Sequence, residues 1–278
     1  MATESLANAS VLLPRMLGAD GPRDYLVIVQ NNAEWRSLGG NPGAMVLIHT
    51  ENGAMTLTAQ DSTGGFPQYG ESVLPLDEGQ LSVTGESPGM WFQNITQVTD
   101  FATAAQLANE FWTRKYGAPV DGVISIDPVA LSYLLGATGP VTVDTGDVLN
   151  RDNAARLLLN EAYLRYDAGG EADVFFAASA AAVFDAVSSG AAQSGPLLEA
   201  LARAGEENRL LIWSSHPDDQ AVLDGTTLQG GLPVTDASAT RFGVYVNDGT
   251  GSKMDYYARL NTTVGWCGTG SDGTDTAA

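Results

Sequence analysis

The sequence predicts an α/β domain built on a mixed central sheet with helices on both faces. Short apolar runs that suit buried strands alternate with stretches whose apolar residues recur every three or four positions. Asn52-Gly53 separates two β-rich runs, a strong mark of a tight antiparallel hairpin. Val120 to Ile126 leads into Asp127-Pro128, a strand followed by a helix cap and a proline at the first helical position.

In order, Tyr25 to Gln30 carries the unbroken apolar run Leu26-Val27-Ile28-Val29, which predicts a strand covered on both faces. Ala44 to Thr50 and Met55 to Gln60 form the hairpin arms. Residues 62 to 90 are rich in glycine and proline and predict a long irregular excursion. Phe101, Ala104, Ala105, Ala108, Phe111 and Trp112 mark a helix, with Thr99 or Asp100 to cap it and Gly117 to stop it. After the Val120 to Ile126 strand, a helix is expected to end at Gly136, with a short strand at Val141 to Val143. Asn153 to Tyr166, Glu171 to Ser188 and Gly195 to Ala204 read as helices, the first two parted by Gly169-Gly170. Arg209 to Ser214 reads as a strand, Pro217 to Leu223 as a short helix, and Phe242 to Val246 and Tyr256 to Thr263 as strands. This organisation predicts one α/β domain over residues 21–266. Residues 1–20 read as a linker or an added start, and 267–278 as a flexible tail.

Composition excludes several classes of function. Thirteen Lys plus Arg stand against 33 Asp plus Glu, for a formal charge of −20, so the field of the molecule repels nucleic acid. Cys267 is the single cysteine and can form no internal disulfide. No run of about twenty apolar residues offers a membrane span, and residues 1–20 lack a signal-peptide pattern.

Among chemical motifs, His216-Pro217-Asp218-Asp219 resembles the metal-binding opening of zinc N-deacetylases. His49 and His216 are the only histidines, however, and neither follows Asp219, so the string reads as a helix start. A Ser-His-Asp triad lacks its Gly-x-Ser-x-Gly elbow, and the abundant carboxylates read as solvated surface. Arg36 is more informative, because it stands near Asn31, Asn32 and Glu34 beyond the end of the first buried strand, where open α/β sheets place ligands. Two readings stay open there: a guanidinium that grips phosphate, or a structural contact to Glu34 or backbone.

Gln30 to Gly40, Val120 to Leu131, Thr138 to Val141 and Asn247 to Tyr257 with Lys253 resemble a family of exported, mostly actinobacterial proteins known as domain of unknown function four-zero-one-two. That resemblance implies a location outside the cytoplasmic membrane and a membrane anchor in a segment outside this chain. The layout is also distantly similar to the LytR-CpsA-Psr phosphotransferases, which move glycopolymers from a polyprenyl-pyrophosphate carrier onto peptidoglycan. Arg36-Ser37 resembles the start of their Arg-Ser-Asp-Thr motif and Asp61 the Asp of their Pro-Arg-Asp motif. Leu38 and Gln60 depart from those motifs, so the fold can survive without the reaction.

The resemblance implies that Arg36 contacts phosphate and that Asp61 holds magnesium or acts as base, these two forming the catalytic pair. Asn31, Asn32, Glu34 and Asn94 complete the expected ligand-binding set. The expected partner is a polyprenyl-linked glycan or other envelope polymer. The alternative is a non-catalytic scaffold in envelope assembly that uses Gly64 to Gly89 as its contact surface.

Overall fold

Leu26-Val27-Ile28-Val29 lies in the central strand, and its neighbours assemble outward from it. The computed structural model describes residues 10–166, 170–190 and 193–265, and the backbone of 267–269 and 275–277. Strand β1 (Arg23–Asn31) runs antiparallel to β2 (Asn41–Glu51), and β2 antiparallel to β3 (Ala54–Ser62). Asn52 and Gly53 both take positive φ, 50° and 83°, as the two-residue turn between twisted strands requires. On its other edge β1 pairs in parallel with β4 (Gly122–Ile126), which pairs antiparallel with β7 (Leu210–Ser214). The main sheet is therefore mixed and five-stranded, in the order β3-β2-β1-β4-β7.

Helix α1 covers residues 10–16, within the stretch expected to be linker. The excursion after β3 is more ordered than its composition suggests, holding α2 (Glu78–Thr84) and α3 (Ser87–Met90). The Asp77 carboxylate accepts from the Gln80 amide at 2.9 Å and starts α2. Helix α4 (Phe101–Tyr116) follows, capped by Asp100 through the Thr103 amide and closed by Gly117 at φ 84°. Asp127 likewise caps α5 (Pro128–Thr138), which passes Gly136 and stops at Gly139, beyond the expected end. A glycine inside a helix weakens it without ending it when the next turn still packs.

The expected strand at Val141 forms as β5 (Val141–Thr142), but it pairs with β6 (Val148–Leu149) in a hairpin of its own. Next come α6 (Ala154–Arg156), a π-helical segment (Leu157–Glu161) and α7 (Ala162–Arg165), then α8 (Glu171–Ser188), α9 (Ser194–Glu206) and, after β7, α10 (Pro217–Leu223). Gly169 lies outside the described residues. Phe242 to Val246 and Tyr256 to Thr263 do not form strands; the only regular structure among these described residues is a 3-10 turn at Met254–Tyr257. In the expected tail, β8 (Cys267–Thr269) pairs with β9 (Asp275–Ala277).

Side-chain parity splits the sheet into two unlike faces. Leu26, Ile28, Met45, Val123 and Leu211 point to the α4 side, where they join Phe101, Leu107, Phe111 and Trp112 in a dry core. Tyr25, Val27 and Val29 point the other way, aligned by register with Ile48, Val46 and Ala44 on β2 and with Gly122, Ile124 and Ile126 on β4. That second face is covered by α5, α8 and α9, and the cover is incomplete.

Candidate functional site

Between the second sheet face and its helices lies a cavity of about 1450 Å³. Its roof is Val27, Val29, Val46, Ile48, Ile124 and Ile212, and its floor includes Leu131 and Leu134 of α5 and Leu198 and Leu201 of α9. Helix α8 contributes Phe176, Ala180, Val183, Phe184 and Val187, spaced so that one helical stripe faces inward. Phe175, next to Phe176 in the chain, is buried with Leu149, Leu158 and Val183 in a cluster that borders the cavity and anchors α8. The walls are therefore mainly apolar and fixed by rigid elements on both sides.

The strand register gives the cavity direction. Tyr25 to Asn31 at about 3.3 Å per residue makes it roughly 20 Å long. Leu12, Leu13 and Met16 of α1 line one end, beside Met55. At the other, the C-terminal end of β1, the lining turns polar: Gln30, Asn31, Asn41, Ser62, Thr63, Tyr163 and Lys253. This edge also holds the C-terminus of the parallel strand β4, where open α/β sheets bind ligands.

Glu34 organises the polar end from behind. It is 2% exposed, and its carboxylate accepts from the Arg36 guanidinium, from Asn41 Nδ2 at 2.7 Å and from the Lys253 ammonium. Burial opposes its charge, but the Lys253 and Asn41 hydrogen bonds and the Lys253 and Arg36 charges outweigh that, holding its pKa below the usual carboxylate range. Gly40 admits no larger residue beside it, because a Cβ there would collide with the Asn31 backbone. Its amide donates to Gln30 Oε1 at 2.6 Å and its carbonyl accepts from Thr96 at 2.9 Å, which pins the loop between β1 and β2.

Arg36 adopts the structural contact. Its guanidinium donates to Glu34 and to the carbonyls of Trp35 and Asp248 at 3.0 and 2.7 Å, and it does not line the cavity. Asn31 does line it, with Nδ2 on the Tyr163 hydroxyl and Oδ1 accepting from the Ala33 amide. Asn32 turns behind the sheet end, donating to Asp127 at 2.8 Å. Asn94 sits in the 3-10 turn Phe92–Gln97, bonded to Ser87 at 2.7 Å and away from the cavity lining.

Asp61 falls on the other face of the sheet, since Ser62 lines the cavity and its strand neighbour must point away. Its carboxylate binds the Lys115 ammonium, the Tyr116 hydroxyl at 2.6 Å and the Ser62 amide at 2.8 Å. Burial works against its ionisation and these bonds override it, so its pKa is lowered. Among the described residues no cluster of three or more His, Cys, Asp or Glu gathers anywhere. Asp61 is thus an ion-pair partner without the further carboxylates a magnesium ion takes. The two histidines pair with carboxylates at the far edge, His216 with Asp121 at 2.6 Å and His49 with Asp24 at 2.9 Å.

Residues 20–163 match the family profile described as protein of unknown function (DUF4012). The chain belongs to the DUF4012 family. No curated protein matches this DUF4012 chain at a significant level. Among solved structures it is similar to Bacillus subtilis TagU, at 8% identity over 72% of this chain and 79% of that one, TM-score 0.38. It is also similar to B. subtilis TagV, at 14% identity over 84% and 93%, TM-score 0.38, and to protein gbs0355 of Streptococcus agalactiae, at 13% over 76% and 75%, TM-score 0.47. TagU and TagV are members of the LytR-CpsA-Psr family. Likenesses this remote speak to the fold alone, and the chemistry of this DUF4012 chain rests on the geometry of its own side chains.

The residues that sequence reasoning missed are Asn41, Tyr163 and Lys253, together with the cavity itself. Lys253 stands inside the Asn247 to Tyr257 motif as one of only two lysines, which was its available signal. The cavity had none, because Val and Ile facing a void read the same as Val and Ile facing a core.

Proposed function

We propose that this protein binds a long-tailed, anionic amphiphile, a phosphorylated lipid-linked glycan of the cell envelope, outside the cytoplasmic membrane. The observation that carries the proposal is a cavity of about 1450 Å³ with mainly apolar walls and a polar end that bears its one lysine. At roughly 30 Å³ per water-sized group, that volume takes on the order of fifty such groups, well beyond one fatty acyl chain and suited to a polyprenyl tail. Among the described residues no helix is long and apolar enough to cross a membrane.

The reading is of binding without transfer. Arg36 is spent on Glu34 and two carbonyls, and Asp61 lies across the sheet, so neither is free to stabilise charge on a transferring phosphoryl group.

The test compares polyprenyl phosphates of increasing tail length by calorimetry. Affinity is expected to rise with tail length until the cavity is full, and Ala180→Trp, which drives an indole from α8 into the space, is expected to abolish binding of the longest. Equal affinity for short and long tails, or a tryptophan variant that binds unchanged, would remove the cavity from the function and favour the scaffold reading.

A further inference from the structure

We infer that Lys253, delivered to the cavity by a C-terminal strap, is the residue that reads the anionic head of the bound lipid. The inference rests on the proposed lipid cavity and names the part of that site which selects charge.

Among the described residues Lys253 is the only cation that lines the cavity. The other charged liners, Asp173, Glu199, Glu206 and Asp224, are all acids. In a chain of formal charge −20, an anion entering this volume is therefore attracted at one place and repelled at the rest.

Lys253 reaches that place through a strap that makes no sheet or long helix of its own. The Asp255 carboxylate accepts from the Trp35 amide at 2.8 Å and Asn247 Oδ1 from the Ser37 amide at 2.9 Å. The Asp248 amide donates to the Trp35 carbonyl at 2.9 Å, and Tyr257 accepts from Asn160 at 2.7 Å. Arg36 closes the set by holding the Asp248 carbonyl. Five contacts from side chains and backbone thus fix both flanks of Lys253 against the polar end of the cavity.

The local chemistry leaves room for a ligand. Glu34 takes donors from Arg36 and Asn41 as well as from Lys253, so it keeps partners if the ammonium is shared. An ammonium has three donors, and a phosphate oxygen can take one while Glu34 keeps another. Asn41 Oδ1 is buried without a partner and belongs to a residue of the same lining, which offers an acceptor to a hydroxyl beside the phosphate.

The test uses the full chain and Lys253→Met, with three probes: a long polyprenyl phosphate, the matching neutral polyprenol, and inorganic phosphate. Wild type is expected to prefer the phosphorylated lipid, and Lys253→Met to lose at least about tenfold in affinity for it, the worth of one charge-assisted hydrogen bond. Polyprenol affinity should not change, whereas the melting temperature should fall because buried Glu34 loses its ammonium partner, so the affinities are compared well below the variant's melting range. A variant that keeps the full preference for phosphate overturns the role of Lys253 while leaving the tail cavity intact. Failure of wild type to bind either lipid removes the cavity reading itself, and the inference with it. A Lys253-dependent signal from inorganic phosphate as large as the lipid's makes this a free-anion site and overturns the assignment to a lipid head.

Discussion

At the scale of single residues, Glu34 and Arg36 decide how the site is held. With side chains only 2% and 6% exposed, they form a buried pair, and breaking such a pair by removing one partner strands the other charge. Arg36→Ala is therefore expected to destabilise the fold by about 3–5 kcal/mol, read as a lowered midpoint in urea. It should also weaken lipid binding indirectly, because the strap loses the guanidinium that holds Asp248. Loss of lipid affinity with unchanged stability would instead make Arg36 a phosphate ligand and contradict the geometry. The sequence left both readings of Arg36 open because its neighbours in space are not its neighbours in the chain. Glu34 was visible two positions away, but Asp248 lies 212 positions on, and only the fold brings it there.

At the scale of elements, what was legible came from local chemistry. The β2–β3 hairpin was written in Asn52-Gly53, and α4 and α5 in their aspartate caps. Helix α2 was hidden because the glycines and prolines around it mask a cap as good as any other, and α3 because it is a single turn without a side-chain cap. The strands expected at Phe242 and Tyr256 fail for the converse reason. Alternating apolar residues favour a strand only where a partner edge exists, and here Phe242 and Val244 remain 53% and 56% exposed. What sequence could not show is that the two faces of one sheet differ. Ile28 packs at 1% exposure against the α4 core, whereas Ile124 looks into the cavity. Ile28→Ala is expected to cost about 2–5 kcal/mol and Ile124→Ala less than half as much, since a side chain beside a void has fewer contacts to lose. Urea unfolding of the two variants checks this, and equal losses would mean that the cavity is packed shut in solution.

At the scale of the molecule, the charge and the cavity pull against each other. On the proposed function, a chain of −20 admits a phosphorylated lipid that its own field repels, and the single lysine in the lining acts only at short range. Salt resolves the conflict in a definite direction. The Debye length falls from about 30 Å at 0.01 M to about 8 Å at 0.15 M, so the long-range repulsion is screened while the contact at Lys253, at side-chain distance, is screened much less. Uptake of a polyprenyl phosphate from neutral vesicles is therefore expected to accelerate as salt rises over that range, opposite to the behaviour of a basic phosphate-binding protein. Uptake of the matching polyprenol should stay nearly constant, because it carries no charge for the field to act on. Stopped-flow measurement of both lipids at several salt concentrations separates the terms. If phosphate uptake slows with salt as it does for a cationic surface, the encounter is governed by attraction at a basic patch, and the picture of an acidic shell around one local cation fails.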